Sequence, residues 1–187
     1  MPLADFLFSI VFARPLAKIE SDLQASGLIM RTTEHPHFQP ILTELDDGAG
    51  DLCDVTYADD VAIPAICPDT SSIEEVAKAL VAISYTRFVE HGMQVNCKQG
   101  KSGVMACING PGSKGAKELW FSSPQLHVDI AGSTIHIHKE RTYRHLGGTL
   151  DCEGEMGPEV AYRRQQHQAS LTPLRRGILA KPFVPAT

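Results

Sequence analysis

The stretch Asp54-Val55-Thr56-Tyr57-Ala58-Asp59-Asp60-Val61-Ala62-Ile63-Pro64-Ala65-Ile66 sets two adjacent carboxylates between two β-prone apolar runs. Runs of that composition flanking a polar pair predict a β-hairpin with Asp59 and Asp60 at its turn. An ionised carboxylate is costly to bury unless it is paired, hydrogen-bonded or bound to metal. One reading is therefore a magnesium site, because Mg2+ takes oxygen ligands and commonly uses one or two carboxylates plus substrate phosphates. The other reading is a solvent-exposed turn, where Asp is a frequent residue. The composition of the hairpin is compatible with both.

Upstream of the hairpin, residues 3–26 carry Leu3, Phe6, Leu7, Ile10, Val11, Leu16, Ile19 and Leu23. Those gaps fit a helix that is apolar over a wide face and hence well buried. Pro15 is expected to kink or divide it, and Gly27 to stop it. Residues 31–50 are polar, contain His35-Pro36-His37, Pro40 and Asp46-Asp47-Gly48, and read as an exposed connection. Downstream, Ser71 or Ser72 is expected to cap a helix with Glu74 and Glu75 in its first turn, where the helix dipole favours acid. Val76, Leu80, Ile83 and Phe88 supply its apolar face, and Gly92 ends it. Strands are expected at 93–96, 103–108, 126–130, 134–138 and 143–150, with a Gly-Pro-Gly-Ser-Lys-Gly loop near residue 110. From about residue 158 to 180 the chain is basic and helical in pattern. There are no repeats and no low-complexity tract.

A chain of 187 residues that is 43% hydrophobic and 21% charged has the make-up of a globular domain with a sizeable core. Five cysteines, at 53, 67, 97, 107 and 152, form no C-x-x-C pair and are odd in number. This disfavours a zinc knuckle or a secreted disulfide framework and suggests thiols in a reducing compartment. The apolar run 6–13 is far shorter than the roughly 20 residues a membrane span needs. Asp5 stands where a signal peptide would be basic. An intracellular protein, nuclear or cytoplasmic and without a membrane segment, is the expectation. The net charge of −5 first argues against a nucleic-acid partner, but it averages two unlike halves. Residues 1–75 hold 3 Lys or Arg and 14 Asp or Glu, net −11, while residues 76–187 hold 14 and 8, net +6. The basic half returns nucleic acid to the list.

Four short motifs follow one another in a telling order. Pro2-Leu3-Ala4-Asp5-Phe6-Leu7-Phe8 precedes Tyr57-Ala58-Asp59-Asp60; then come Gly92-Met93-Gln94-Val95-Asn96 with Gly100-Lys101-Ser102, and Tyr143-Arg144-His145-Leu146-Gly147-Gly148. In this order and spacing the chain resembles reverse transcriptases of the non-LTR retrotransposon type, over roughly residues 2–180. The motifs match, respectively, the palm helix P-L-x-x-x-L-F, the catalytic hairpin, the G-L-x-x-N…K-T segment behind it and the Y-x-x-L-G primer grip.

The resemblance implies an α+β polymerase palm over residues 1–150, an antiparallel sheet with packed helices, followed over 151–187 by the start of a helical, basic thumb. It implies RNA-directed DNA polymerisation, in which a primer 3′-hydroxyl joins a deoxynucleoside triphosphate between two Mg2+ ions about 3.5–4 Å apart. Asp59 would be a metal ligand, Asp60 an adjoining acidic metal-site partner, and Lys101 the cation that neutralises or protonates departing pyrophosphate. Tyr57 would pack near the primer terminus, a role compatible with an ordinary strand aromatic. Tyr143, Arg144, Leu146 and Gly147 would form the primer grip, and Arg163 and Arg164, with Arg175 and Arg176, would contact duplex phosphates. The partners implied are an RNA template, a DNA primer and deoxynucleoside triphosphates.

The match departs from the family in one major respect. Met1-Pro2 stands where the family reads Q-G-D-P-L, so the upstream catalytic aspartate, the fingers and the first palm strand have no counterpart in this sequence. They would have to come from upstream sequence, and a chain with this incomplete two-ion site is expected to have little or no polymerase activity alone. Cys97 replaces a common proline, Ser102 a threonine and Gly103 a usual acidic residue. Two other function classes stay open: a non-catalytic nucleic-acid-binding remnant, and a small intracellular α/β interaction domain with no polymerase role. His136 and His138 alternate along an expected strand, a geometry usable for zinc. No further ligands sit at convincing spacing, although His145 and Cys152 are near, and plain strand polarity is the preferred reading.

Overall fold

The computed structural model describes residues 3–32, 50–52, 54–57, 60–67, 69–145 and 147–174. Its described residues form an α+β fold that divides into two compact units. The first comprises residues 1–104 and 108–139, the second 105–107 and 140–187.

In the first unit, helix α1 runs Leu3–Ala25 without a break at Pro15. Proline removes one intrahelical hydrogen bond and crowds the preceding turn. Here its ring is fully buried, so packing outweighs the local penalty. The buried positions Phe12, Pro15, Ile19 and Leu23 recur at gaps of three and four, one stripe of the helix. Phe12 stacks on Phe8 and on Phe88, with centroids 5.1 and 5.6 Å apart. Around Ile19 and Leu23 pack Leu16, Leu28, Ile29, Ile63, Leu80, Ile83 and Phe88.

Helix α2, Ile73–Glu90, lies against α1. Both end in the same way. At Gly27 (φ +66°) and Gly92 (φ +75°) the chain turns left-handed, and the next residue donates five residues back, Leu28 to Leu23 and Met93 to Phe88, each at 2.9 Å. This is the Schellman arrangement, and its left-handed residue favours glycine. The start of α2 differs from expectation. Neither Ser71 nor Ser72 caps it through its side chain; instead Asp69 accepts from the Ser71 amide (2.9 Å) and hydroxyl (2.8 Å) and caps a 3-10 turn, Thr70–Ser72. Glu74 and Glu75 do occupy the first turn of α2, and both pair with Lys78.

Strands β1 (Met30–Thr32) and β2 (Gly50–Leu52) pair antiparallel; the rest of the expected exposed connection, residues 33–49, lies outside the described residues. Strands β3 (Val55–Tyr57) and β4 (Asp60–Ala62) make a second antiparallel pair. The largest sheet has the order β5-β7-β6, with β5 (Gly103–Val104) parallel to β7 (Ser133–Lys139) and β6 (Gln125–Ile130) antiparallel to it. A two-residue turn, Ala131 at φ 49° and Gly132 at φ 82°, joins β6 to β7, as tight hairpins require. Leu126, Val128, Ile137 and Lys139 line the buried face of this hairpin, and α2 packs against β6.

Three local expectations change. Residues 93–96 form no strand; burial does alternate there, with 93 and 95 half-buried and 94 and 96 exposed, but no strand among the described residues pairs with them. The expected strand 103–108 shortens to Gly103–Val104. The glycine-rich stretch near 110 runs into a helix, α3 (Ser113–Trp120), entered through Gly112 at φ 80°.

In the second unit, β8 (Thr142–His145) and β9 (Gly148–Asp151) form an antiparallel hairpin, and α4 (Gly157–Leu174) packs on β9. The basic helix expected to residue 180 is described as far as Leu174. Arg175 and Arg176 lie outside the described residues. No helix among the described residues is long and apolar enough to cross a membrane.

Candidate functional site

The acidic hairpin exists, with a register that refines its reading. Val55 faces Ala62, Thr56 faces Val61 and Tyr57 faces Asp60 across the ladder. Asp60 is therefore a strand residue opposite Tyr57 rather than a turn residue. Ala58 and Asp59 lie outside the described residues. Asp60 is exposed, so the desolvation argument that favoured a metal does not apply to it. Earlier on the same chain segment, Thr56 donates its hydroxyl to Asp54 at 2.6 Å, which occupies that carboxylate locally. Among the described residues no three His, Cys, Asp or Glu converge as a metal group. The carboxylate of Asp60 has the right oxygen chemistry for Mg2+, but the described donors around it do not make a complete set.

Lys101 is exposed at the end of a turn in which its amide donates to the Lys98 carbonyl at 3.0 Å. Gly100, at φ 73°, makes that turn possible. Two residues on, β5 begins its parallel pairing with β7, so Lys101 sits at the mouth of a strand of the mixed sheet. Asn96, from the same motif, accepts from the Lys98 amide at 3.2 Å. It thus shapes the loop that carries Lys101. Asp60 and Lys101 both belong to the first unit, and the primer-grip candidates to the second.

In the second unit two of the expected grip residues, Arg144 and Gly147, belong to a small polar cluster. Arg144, on β8, lies over the Tyr162 ring of α4, 4.6 Å from its centroid. Gly147, at φ 78°, provides the turn of the hairpin, and its carbonyl accepts from Arg163 at 3.0 Å. Arg163 also donates to Glu159 at 2.6 Å, and the other Glu159 oxygen accepts the Thr149 amide at 2.7 Å. The Arg163 guanidinium, then the Thr149 amide, hold the Glu159 carboxyl below the usual carboxylate range. Arg163 is thereby committed to the hairpin. Arg164, exposed on the next position, lines a recess of about 430 Å3 on α4 with His167, Gln168, Leu171 and Thr172. Tyr143 is half-buried; Leu146 lies outside the described residues.

Sequence reasoning missed Tyr162 and Glu159, which organise this cluster. Their signal was present as Glu159 and Arg163 four apart on one helix, the spacing of a helical ion pair. It also missed His127, which faces His136 across β6 and β7. His138, the expected companion of His136, instead meets Gln125, with ring nitrogen and amide 3.2 Å apart. Counting outward from the Ala131-Gly132 turn would have paired 127 with 136.

No protein-family model, curated protein or solved structure matches this chain.

Proposed function

We propose that this chain is a palm-and-thumb portion of an RNA-directed DNA polymerase of the non-LTR reverse transcriptase type. The reading rests on the order of the four motifs, and the observation that supports it best is the antiparallel pairing of Val55–Tyr57 with Asp60–Ala62. A reverse transcriptase holds its acidic pair on such a hairpin, whereas the same tetrapeptide in a helix or an extended loop would have no bearing on polymerisation. In this reading Asp59 and Asp60 contribute carboxylates for Mg2+, which when bound would stabilise charge on the transferring phosphate. Lys101 supplies positive charge for the leaving pyrophosphate. Tyr143, Arg144 and Gly147 approach the primer, and Arg164 meets its phosphates. Among the described residues no group of three potential ligands forms around Asp60, and in this reading a further carboxylate would come from the upstream strand that the family carries.

A second reading has no chemistry: an interaction domain in which Asp59 and Asp60 are ordinary surface carboxylates at a hairpin end. The observations in its favour are the exposed Asp60 and the mixed, partly parallel order of the β5-β7-β6 sheet. Titration of an RNA–DNA hybrid into the chain, with primer extension in Mg2+ and in Mn2+, separates the two. The polymerase reading expects hybrid binding that weakens steeply with salt, and little or no extension by the chain alone. Product that disappears in Asp59→Asn would establish a working site. Absence of hybrid binding at low salt would sink the reading altogether.

A further inference from the structure

The outward face of the β6–β7 hairpin carries a histidine pair that the proposed polymerase function does not use. His127 and His136 are direct cross-strand partners, both exposed, with ring centroids 4.6 Å apart and ring planes at 89°. Opposite residues on one face of an antiparallel pair are the closest side chains a sheet offers, about 4.5–5.5 Å between Cβ atoms. Two imidazoles at that separation can direct one nitrogen each towards a common point at the roughly 2.0–2.1 Å that a zinc–nitrogen bond needs.

The neighbours on the same face sharpen this choice of ligands. His138 is engaged by Gln125, and Asp129 accepts the hydroxyl of Thr134 across the next rung. Those pairs occupy the rungs on either side and leave His127 and His136 to each other. The hairpin beneath is anchored by Leu126, Val128 and Ile137, so the backbone that sets the spacing is fixed by the core rather than by the histidines. A preformed spacing lowers the ordering cost that a flexible pair would pay on binding.

We propose that His127 and His136 form a two-histidine site for a borderline divalent transition-metal ion, copper(II) or zinc. Imidazole nitrogen suits these ions and not Mg2+, so the site is chemically distinct from the acidic hairpin. Two protein ligands leave the remaining coordination positions to water. Copper(II) binds more tightly than zinc, as nitrogen sites generally do.

Electron paramagnetic resonance of the full chain with one equivalent of copper(II) tests this directly, alongside calorimetric titration with copper(II) and with zinc. The expected spectrum shows coupling to two equatorial nitrogens. It is lost in His127→Gln and in His136→Gln, and it persists in His138→Gln. Either of the first two substitutions lowers copper affinity by about tenfold or more, a loss that even the removal of an outer-shell partner can bring. Circular dichroism is expected to leave both variants with the parent fold, since both side chains are exposed. Loss of that fold moves the test to the broadening of the His127 and His136 ring resonances by copper(II) in the unaltered chain, where unbroadened rings overturn the proposal. A folded chain whose two-nitrogen signal is absent, or is unchanged in both variants, overturns it as well.

Discussion

Helix α1 meets α2 through Ile19 and Leu23, both fully buried, whereas α4 meets the β8–β9 hairpin through Glu159, Arg163 and the backbone of Thr149 and Gly147. The first contact is apolar and gains from removing area from water, at roughly 25 cal/mol per Å2. The second is a hydrogen-bonded charge relay at a surface where water competes. Among the described residues of the second unit, Cys152 alone is buried. Its thiol is pushed up chiefly by burial, with the Asp151 and Glu153 carboxylates adding to the effect. The first unit also contains polar ties, notably the Arg87 fork on Asp22 at 2.6 and 3.0 Å, but these sit beside the apolar cluster of Ile19 and Leu23. The difference teaches where each unit is vulnerable: the first to lost volume, the second to lost charge.

Removal of volume from the first core carries the largest expected effect. Leu23→Ala is expected to cost about 2–5 kcal/mol in urea unfolding, the range for fully buried leucines. A cost below about 1 kcal/mol would mean that the α1–α2 contact does not carry the unit. Acid is the next probe, and its sign follows from the direction of the shift. Arg163 and the Thr149 amide depress Glu159, so its contribution is fully present above the ordinary carboxylate value of about 4.3 and is lost as pH falls through the depressed native value. The protection factor of the Thr149 amide, its exchange rate relative to the intrinsic rate at each pH, should therefore fall in acid, while those of Leu126 and Val128 are kept. Glu159→Gln should give the same pattern at neutral pH. Equal loss of protection in both regions would erase the distinction between the units.

A smaller effect distinguishes two adjacent arginines. If the second unit binds a duplex, Arg164→Ala should reduce the slope of log affinity against log salt by about 1, the signature of one phosphate contact. Arg163→Ala should change the slope less and loosen the hairpin more, because its guanidinium is tied to Glu159 and Gly147. The smallest effect is expected at Val160, 60% exposed on α4, where Val160→Ala should lie within about 0.5 kcal/mol of the parent in the same urea assay.

Local patterns made much of this legible in advance. The gaps between Leu16, Ile19 and Leu23 marked the inner end of α1, but its buried stripe is narrower than the wide face expected: Ile10 and Val11 are exposed, and Phe12 and Pro15 are buried instead. Gly27 and Gly92 marked two helix ends, because helix periodicity and left-handed backbone are properties of neighbouring residues. The hairpins at 55–62 and 142–151 could be read from β-prone runs separated by turn residues. Helix α3 escaped because its first turn is made of Gly, Ser and Lys, poor evidence for a helix until Trp120 is seen to be buried at its end. Residues 93–96 misled for the opposite reason: their alternation is real in burial, but a strand also needs a partner.

The sequence by itself determined helices α1, α2 and α4, the glycine ends of the first two, the strand pair that flanks the acidic residues and the shift from acidic to basic along the chain. All of these depend on residues a few positions apart. Tertiary structure alone decided that Arg87 grips Asp22 and that Lys139 is buried with its ammonium 3.0 Å from the Trp120 carbonyl and 3.5 Å from Glu74. The Arg87–Asp22 and Lys139–Glu74 pairs each join residues 65 positions apart. Contacts of this kind depend on which surfaces the core brings together, and a charge carries no local mark of the distant partner it will meet.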